Sequence, residues 1–338
     1  MSLKTTTEPL RITVAGAGAI GTMLAARLGT AGHCISMLAR GATLAAIQSE
    51  GVVLDDLSGS TQVRVQASNT PDFGVQDVVF LCSKAQDLPV IAASVQPLIG
   101  PETLIVPTPN GVPFWYFHGE GRRFDGSPVN AVDPDGVLAK YLPLSQVIGA
   151  SLYLMAEAVS PGRFECHNPH LIVLGELGGA ATPRLKRLCD AIGGAGIEAR
   201  ATDHIRDPLW TKIIANVTTN LLSVVSGATL QEIFTRPELV SRALAVMHEA
   251  MLAAACYGAR LSIDPIEFVK LGAAMGPVRT SMLQDFERGK PLELAAIGDA
   301  VLELADRFSL PMKATRELVA QVRAASTASI STPTATTA

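Results

Sequence analysis

Apolar and polar positions follow two different periods along this chain, and the dominant period changes once. Residues 10–15 form a short β-branched run, 18–31 carry apolar residues at helical spacing, and 34–38 return to strand character, which reads as a βαβ unit. Segments 51–55 and 62–66 alternate around the turn-like LSGS and predict a hairpin. Segments 77–82 and 103–107 read as buried strands flanking a helix over 88–98. Strand and helix in alternation predict a mostly parallel, doubly wound sheet. Segments 147–157, 163–167 and 171–175 read as further strands, and 182–192 as a helix.

Beyond about residue 203 helix follows helix: 206–225, 237–256, 264–275, 279–288, 292–307 and 312–324, with stops at Gly227, Gly258, Gly276 and Gly289. The expected fold class is therefore α/β, a doubly wound sheet at 1–202 followed by an all-helical domain at 203–325. Residues 111–145 are rich in Gly, Pro and Asp with little periodicity, too long a stretch for a structureless connection. A lid or partly folded insertion is expected at about 112–145. Small polar residues at 1–8 and from Ala325 onward predict loose ends, with 326–338 as a disordered tail.

Composition narrows the function classes. At 338 residues the chain exceeds what one core usually serves, and its 48% hydrophobic and 17% charged residues favour extensive burial over disorder. A net charge of −4 and a pI near 5.9 provide no basic field, so neither nucleic acid nor a membrane surface is expected as partner, and a small molecule is. Cys34, Cys82, Cys166, Cys189 and Cys256 are scattered and odd in number. They read as reduced thiols of a cytoplasmic protein, with no disulfide framework and no metal site. No uninterrupted apolar run has the length of a membrane span, and the N-terminus has no apolar leader segment.

The sharpest local signal is Gly16-Ala17-Gly18-Ala19-Ile20-Gly21, which follows a strand and opens a helix. Gly16 suits the tight turn, Gly18 lets a pyrophosphate approach the positive helix N-terminus, and Gly21 permits close packing on the sheet. Dinucleotide binding is the expectation, an ordinary tight turn the competing reading. After the second strand an NAD site would offer a carboxylate to the ribose 2′-hydroxyl, whereas this chain reads Met37-Leu38-Ala39-Arg40-Gly41. A guanidinium there suits a 2′-phosphate, which favours NADP(H), against a solvated surface arginine. Lys84 and Asn110 lie beyond the carboxyl ends of two further strands, where open α/β sheets bind ligands. Solvation for Lys84 and a simple Asn-Gly turn for Asn110 are the alternatives.

Within 209–231 the only charged residue is Lys212. Lys212, Asn216 and Asn220 are spaced i, i+4, i+8 and share one stripe of a helix whose other faces are apolar. Enclosed amides and an ammonium need polar partners. A site for a carboxylate and a carbonyl would supply them, as would hydrogen bonds to a neighbouring helix. Ser281 near one helix start and Glu293 in the first turn of another could complete such a site, or could serve as a cap and as a favourable charge at a helix N-terminus.

Taken together these residues resemble the ketopantoate reductase (2-dehydropantoate 2-reductase) family. The likeness runs from GAGAIG through Arg40, SKAQD at Lys84, PNGV at Asn110 and KIIANVTTN at Lys212 to SMLQD at Ser281 and the glutamate twelve residues later. The resemblance implies an N-terminal Rossmann-like domain, a helical C-terminal domain, a cleft between them, and NADPH-dependent reduction of a 2-keto acid. It implies Lys212 as general acid with Glu293 in the same catalytic network, and Asn216, Asn220 and Ser281 on the substrate. It further implies Arg40 on the 2′-phosphate, with Lys84 and Asn110 where cofactor meets substrate. A homodimer paired through the helical domain is compatible with this reading.

Two departures from the family pattern bear on the substrate. After Glu293 the chain reads Leu294-Ala295-Ala296-Ile297-Gly298, where relatives commonly place an aspartate and then Asn-Gly, and Leu292 replaces a usual threonine. Phe114, Trp115, Tyr116 and Phe117 open the insertion, either as a lid or as packing against the sheet. The expected substrate is therefore ketopantoate or a bulkier 2-keto acid. The competing functions are a non-catalytic NADP(H)-binding or redox-sensing protein, and a dehydrogenase of 3-hydroxy acids or opines. His204 and His248 read as surface or core residues rather than catalytic bases.

Overall fold

The computed structural model describes residues 8–331, which divide into two compact units. Among the described residues the first comprises 8–109, 117–127 and 136–205, and the second 110–116, 128–135 and 206–331. Segments 110–116 and 128–135 thus belong with the helices, although they lie in the chain between strands of the first unit.

The first unit runs β1 Arg11–Ala15, α1 Ala19–Thr30, β2 Cys34–Leu38, α2 Gly41–Glu50, β3 Val52–Asp56, β4 Gly59–Val63, β5 Gln66–Ser68, β6 Val78–Leu81, α3 Leu88–Ser94 and β7 Leu104–Pro107. It continues with α4 Val137–Tyr141, β8 Ile148–Tyr153, β9 Ala156–Ser160, β10 Arg163–Cys166, β11 Leu171–Glu176, α5 Pro183–Gly194 and β12 Glu198–Ala201. Its main sheet has the order β5-β2-β1-β6-β7 with every pair parallel. The chain winds outward in both directions from β1, so the turn after β1 lies at the switch point where such sheets take ligands. The interior strands are apolar on both faces, β6 being buried at all four positions, as expected of parallel strands covered on both sides.

The expected hairpin is β3–β4, closed by the two residues Leu57-Ser58. Its strand β3 also pairs in parallel with β10, giving a second sheet of order β4-β3-β10-β9, while β12-β11-β8 form a third. Arg27 and Asp56 form a buried ion pair, with Arg27 Nε donating to Asp56 Oδ2 at 2.9 Å, and link α1 to β3.

The second unit contains α6 Arg206–Ser226, α7 Leu230–Thr235, α8 Pro237–Cys256, α9 Pro265–Ala274, α10 Ser281–Glu287, a π-turn at Ala295–Asp299, α11 Ala300–Asp306 and α12 Lys313–Ser331. Helix α6 packs against α7, α8, α10 and α12, which accounts for its nearly uncharged sequence. Among the described residues α8 is the one helix long and apolar enough to cross a membrane by length and composition; it buries Ala243, Val246, Met247 and Ala250 within the unit.

In the first unit the strand expected over 147–157 is split into β8 and β9, and β5 and β12 join the expected strands; in the second unit three features differ from the sequence reading. Helix α7 joins the expected set, opened by a capping box between Thr229 and Glu232. The single helix expected over 292–307 is interrupted by the π-turn. Helix α12 runs past Ala325 to Ser331, where alanine favours helix and the Ser326 and Thr327 hydroxyls are taken up by the Val322 and Arg323 carbonyls rather than competing for other backbone groups. Residues 332–338 of the expected tail, and 1–7 of the expected loose N-terminus, lie outside the described residues.

Candidate active site

The glycine loop assigns three different duties to its three glycines. Gly16 has φ +117°, and a Cβ there would stand 2.6 Å from the Cys82 carbonyl oxygen at the end of β6. At Gly21 a Cβ would meet the Gly16 carbonyl oxygen at 2.1 Å and Val14 Cγ1 at 2.9 Å, so any larger residue would push α1 off the sheet. Gly18, by contrast, has nothing of the protein within 4 Å of its Cβ position. It is the N-cap of α1, extended at φ −82° and ψ −175°, and the first helical turn carries no acidic residue. Open space above exposed N–H groups at a positive helix end is what a pyrophosphate requires. Ala17, Ala19 and Ile20 complete this turn.

Around the loop, Arg40 is exposed and stands at the N-cap of α2, with no carboxylate in the preceding Met37, Leu38 and Ala39. A dianion placed there would meet both the guanidinium and a helix N-terminus. Cys82 lies beneath Gly16, and burial pushes its thiol up to about 12 despite a hydrogen bond with Thr108, so it stays protonated and inert. The adjoining Ser83 has a buried hydroxyl with no hydrogen-bond partner, and Lys84 follows in a partly exposed turn.

In the second unit, the stripe on α6 places Lys212, Asn216 and Asn220 about 6 Å apart along the helix axis. Lys212 is half-buried, and the surrounding protein pushes its ammonium down to about 8, while the charge of Glu293 pulls in the opposite direction. Glu293 is itself 5% exposed, just ahead of the π-turn, and its carbonyl accepts from the Ile297 N–H at 3.0 Å. Asn216 Nδ2 is buried with no hydrogen-bond partner, so a donor is held ready for an acceptor that the protein does not provide. Asn220 is buried at 4% exposure.

Ser281 is exposed at the first position of α10. The capping role is taken by Thr280, whose hydroxyl accepts from Leu283 N at 3.2 Å and meets Ser223 Oγ at 2.5 Å, so the Ser281 hydroxyl is left for other use. Asn110 belongs to the same unit. It is followed by Gly111, at φ +87°, and by Val112, whose N–H donates to the Ala296 carbonyl at 2.9 Å. Sequence reasoning missed this link to the π-turn, for which the local sequence carries no signal.

The aromatic run is packing material. Phe114, Trp115, Tyr116 and Phe117 are all buried, the last two completely. Trp210 Nε1 donates to the Tyr116 hydroxyl at 2.7 Å, and the Tyr116 ring meets Trp210 and Tyr257 edge-on at centroid distances of 6.1 and 5.6 Å. Arg206 caps this cluster by donating to the Tyr116 carbonyl at 2.8 Å.

Comparison with known proteins places this arrangement. The profile described as Ketopantoate reductase PanE/ApbA matches residues 12–113, and its C-terminal counterpart matches 204–326. The chain belongs to the ketopantoate reductase family. Of its fellow members, a 2-dehydropantoate 2-reductase of Mesorhizobium japonicum is 36% identical over 93% of this chain and 97% of its own length. A solved Ralstonia solanacearum chain assigned to the ketopantoate reductases superposes with a TM-score of 0.89 at 36% identity, covering 94% of this chain and 98% of that one. The fold, though at 18% identity nothing finer, is shared with D-mandelate dehydrogenase solved with NADH and anilino(oxo)acetate, at a TM-score of 0.81 over 94% of this chain and 99% of that one. In this ketopantoate reductase family member the glycine loop and the lysine stripe fall within the two matched segments.

Proposed function

We propose that this protein reduces a 2-keto acid to the 2-hydroxy acid with NADPH, with ketopantoate as the first substrate to test. The observation that carries the reading is Lys212: the one charged residue within 209–231, held near pKa 8 and faced by the field of a buried glutamate. Such a group is charged at neutral pH yet close enough to its pKa to give up a proton.

NADPH, when bound, supplies the hydride. As negative charge gathers on the ketone oxygen, the Lys212 ammonium stabilises it and then transfers a proton from Nζ, leaving a neutral amine that solvent reprotonates. Glu293 keeps that ammonium charged and oriented between turnovers. Asn216 Nδ2, buried without a partner, donates to the substrate carboxylate, and Asn220 and Ser281 extend the polar stripe on which it rests. Arg40 and the N-terminus of α2 take the 2′-phosphate, the Gly16–Gly21 turn takes the pyrophosphate, and Lys84 and Asn110 meet the nicotinamide end. With the Tyr116 ring and hydroxyl engaged by Trp210 and Tyr257, the aromatic run is read as packing, and a bulkier substrate would be accommodated at Leu292 and Ala295. A cytoplasmic location fits the scattered cysteines, and a homodimer paired through the helical domain is compatible with the family resemblance.

The test is loss of NADPH absorbance with ketopantoate and a panel of branched and aryl 2-keto acids, for wild type and Lys212→Ala. The variant should bind NADPH normally and lose about 10²–10⁴-fold in kcat. Near-normal turnover in a folded variant would remove Lys212 as the acid.

A further inference from the structure

The helix that begins beyond Glu293 widens at Ala295–Asp299, where the Ala300 N–H reaches back five residues to the Ala295 carbonyl. In a regular α-helix that N–H would bond the Ala296 carbonyl, four residues back. The Ala296 carbonyl accepts instead from the Val112 N–H at 2.9 Å. This approach depends on Gly111: its φ is +87°, and a Cβ would lie 2.3 Å from the Ala296 oxygen and 2.4 Å from its carbonyl carbon. The hook therefore binds the segment that begins with Asn110 to the turn that follows Glu293.

One added residue in a helical turn rotates everything before it by about 100° relative to everything after it. The part after the turn is fixed by its core side chains, Ala300, Val301, Leu304 and Ala305 being buried. The rotation is consequently expressed on the other side, at Glu293.

We propose that the hook of Gly111 and Val112 on the π-turn is the positioning device of the active site, turning Glu293 toward Lys212 and holding Asn110 in the same frame. Gly111 is then a positioning residue, and the proposal rests on Lys212 and Glu293 acting as the catalytic pair. A π-turn is less favourable than continuous α-helix, and the Val112 donor compensates for it by satisfying the carbonyl that the turn leaves out.

Deletion of Ala295 tests this directly, since that side chain is exposed and its removal takes nothing from the core. The shortened turn should return to α-register and rotate Glu293 away. Gly111→Ala should break the hook from the other side. Two readouts apply to each variant: the protonation midpoint of Lys212, followed by NMR on carbon-13 lysine and assigned with Lys212→Met, and kcat with NADPH and ketopantoate. Loss of the Glu293 field should move the midpoint below its wild-type value near 8 and lower kcat about tenfold or more. A purely structural role would lower the melting temperature and leave the midpoint in place, and that result overturns the proposal. If the deletion does not fold, Gly111→Ala decides by the same measurements. A wild type that turns over no 2-keto acid refutes the functional reading instead, while the Lys212 midpoint still reports whether the π-turn sets the pair.

Discussion

Raising the pH from 7 to 9 should lower the rate of keto-acid reduction about tenfold, because Lys212 must be charged to act as the acid. With its ammonium held at about 8, roughly 90% is protonated at pH 7 and roughly 10% at pH 9, whereas a lysine at the ordinary 10.5 would stay protonated throughout. The assay is single-turnover loss of NADPH absorbance at saturating ketopantoate, so that proton transfer and hydride transfer are observed rather than product release. Glu293→Gln removes the charge that raises the Lys212 pKa, so the falling limb should move to lower pH. The same group leaves a mark on stability. Its folded pKa lies below its unfolded one, so the full cost, about 3 kcal/mol at most, is present below pH 8. Between about 8 and 10.5 the unfolded chain binds a proton that the native state has released, and stability should rise with pH. A rate that is flat from pH 7 to 9, or a limb that moves upward in Glu293→Gln, would refute the assignment.

Other outcomes follow from the same geometry. Arg40→Glu should weaken NADPH binding by about 10²-fold, from the loss of two charge-assisted hydrogen bonds, and leave NADH binding equal or better; fluorescence titration of both cofactors checks it, and equal losses would take Arg40 off the 2′-phosphate. Gly18→Ala should fold with an unchanged melting temperature yet lose NADPH affinity, because its Cβ meets only the space reserved for the ligand, whereas Gly21→Ala should lose both. Tyr116→Phe should cost about 1–3 kcal/mol in denaturant unfolding by leaving the buried Trp210 N–H unpaired.

The sequence by itself determined the α/β class and the helical part that follows it, and it marked the residues on which the proposed site rests. β-branched runs separated by helical spacing can bury themselves only as a parallel sheet covered on both faces, and GAGAIG after the first of them identifies the switch point before any coordinate is known. A helix with one cation among apolar neighbours likewise announces enclosure, because solvated helices carry more charge. These signals are local: each depends on residues within a few turns of one another.

What only the tertiary structure decided depends on distant partners. Whether the run from Phe114 to Phe117 covers a ligand or fills a core turns on Trp210 and Tyr257, far along the chain, which receive the Tyr116 ring and hydroxyl. Ser281 reads equally well as cap or as free hydroxyl until Thr280 takes the cap. The π-turn has no local signature, since 292–307 has ordinary helical composition; it exists where the Val112 N–H takes the carbonyl that an α-turn would have used. Periodicity registers how a segment meets water and its own neighbours, and a hydrogen bond from the other end of the chain leaves no trace in it.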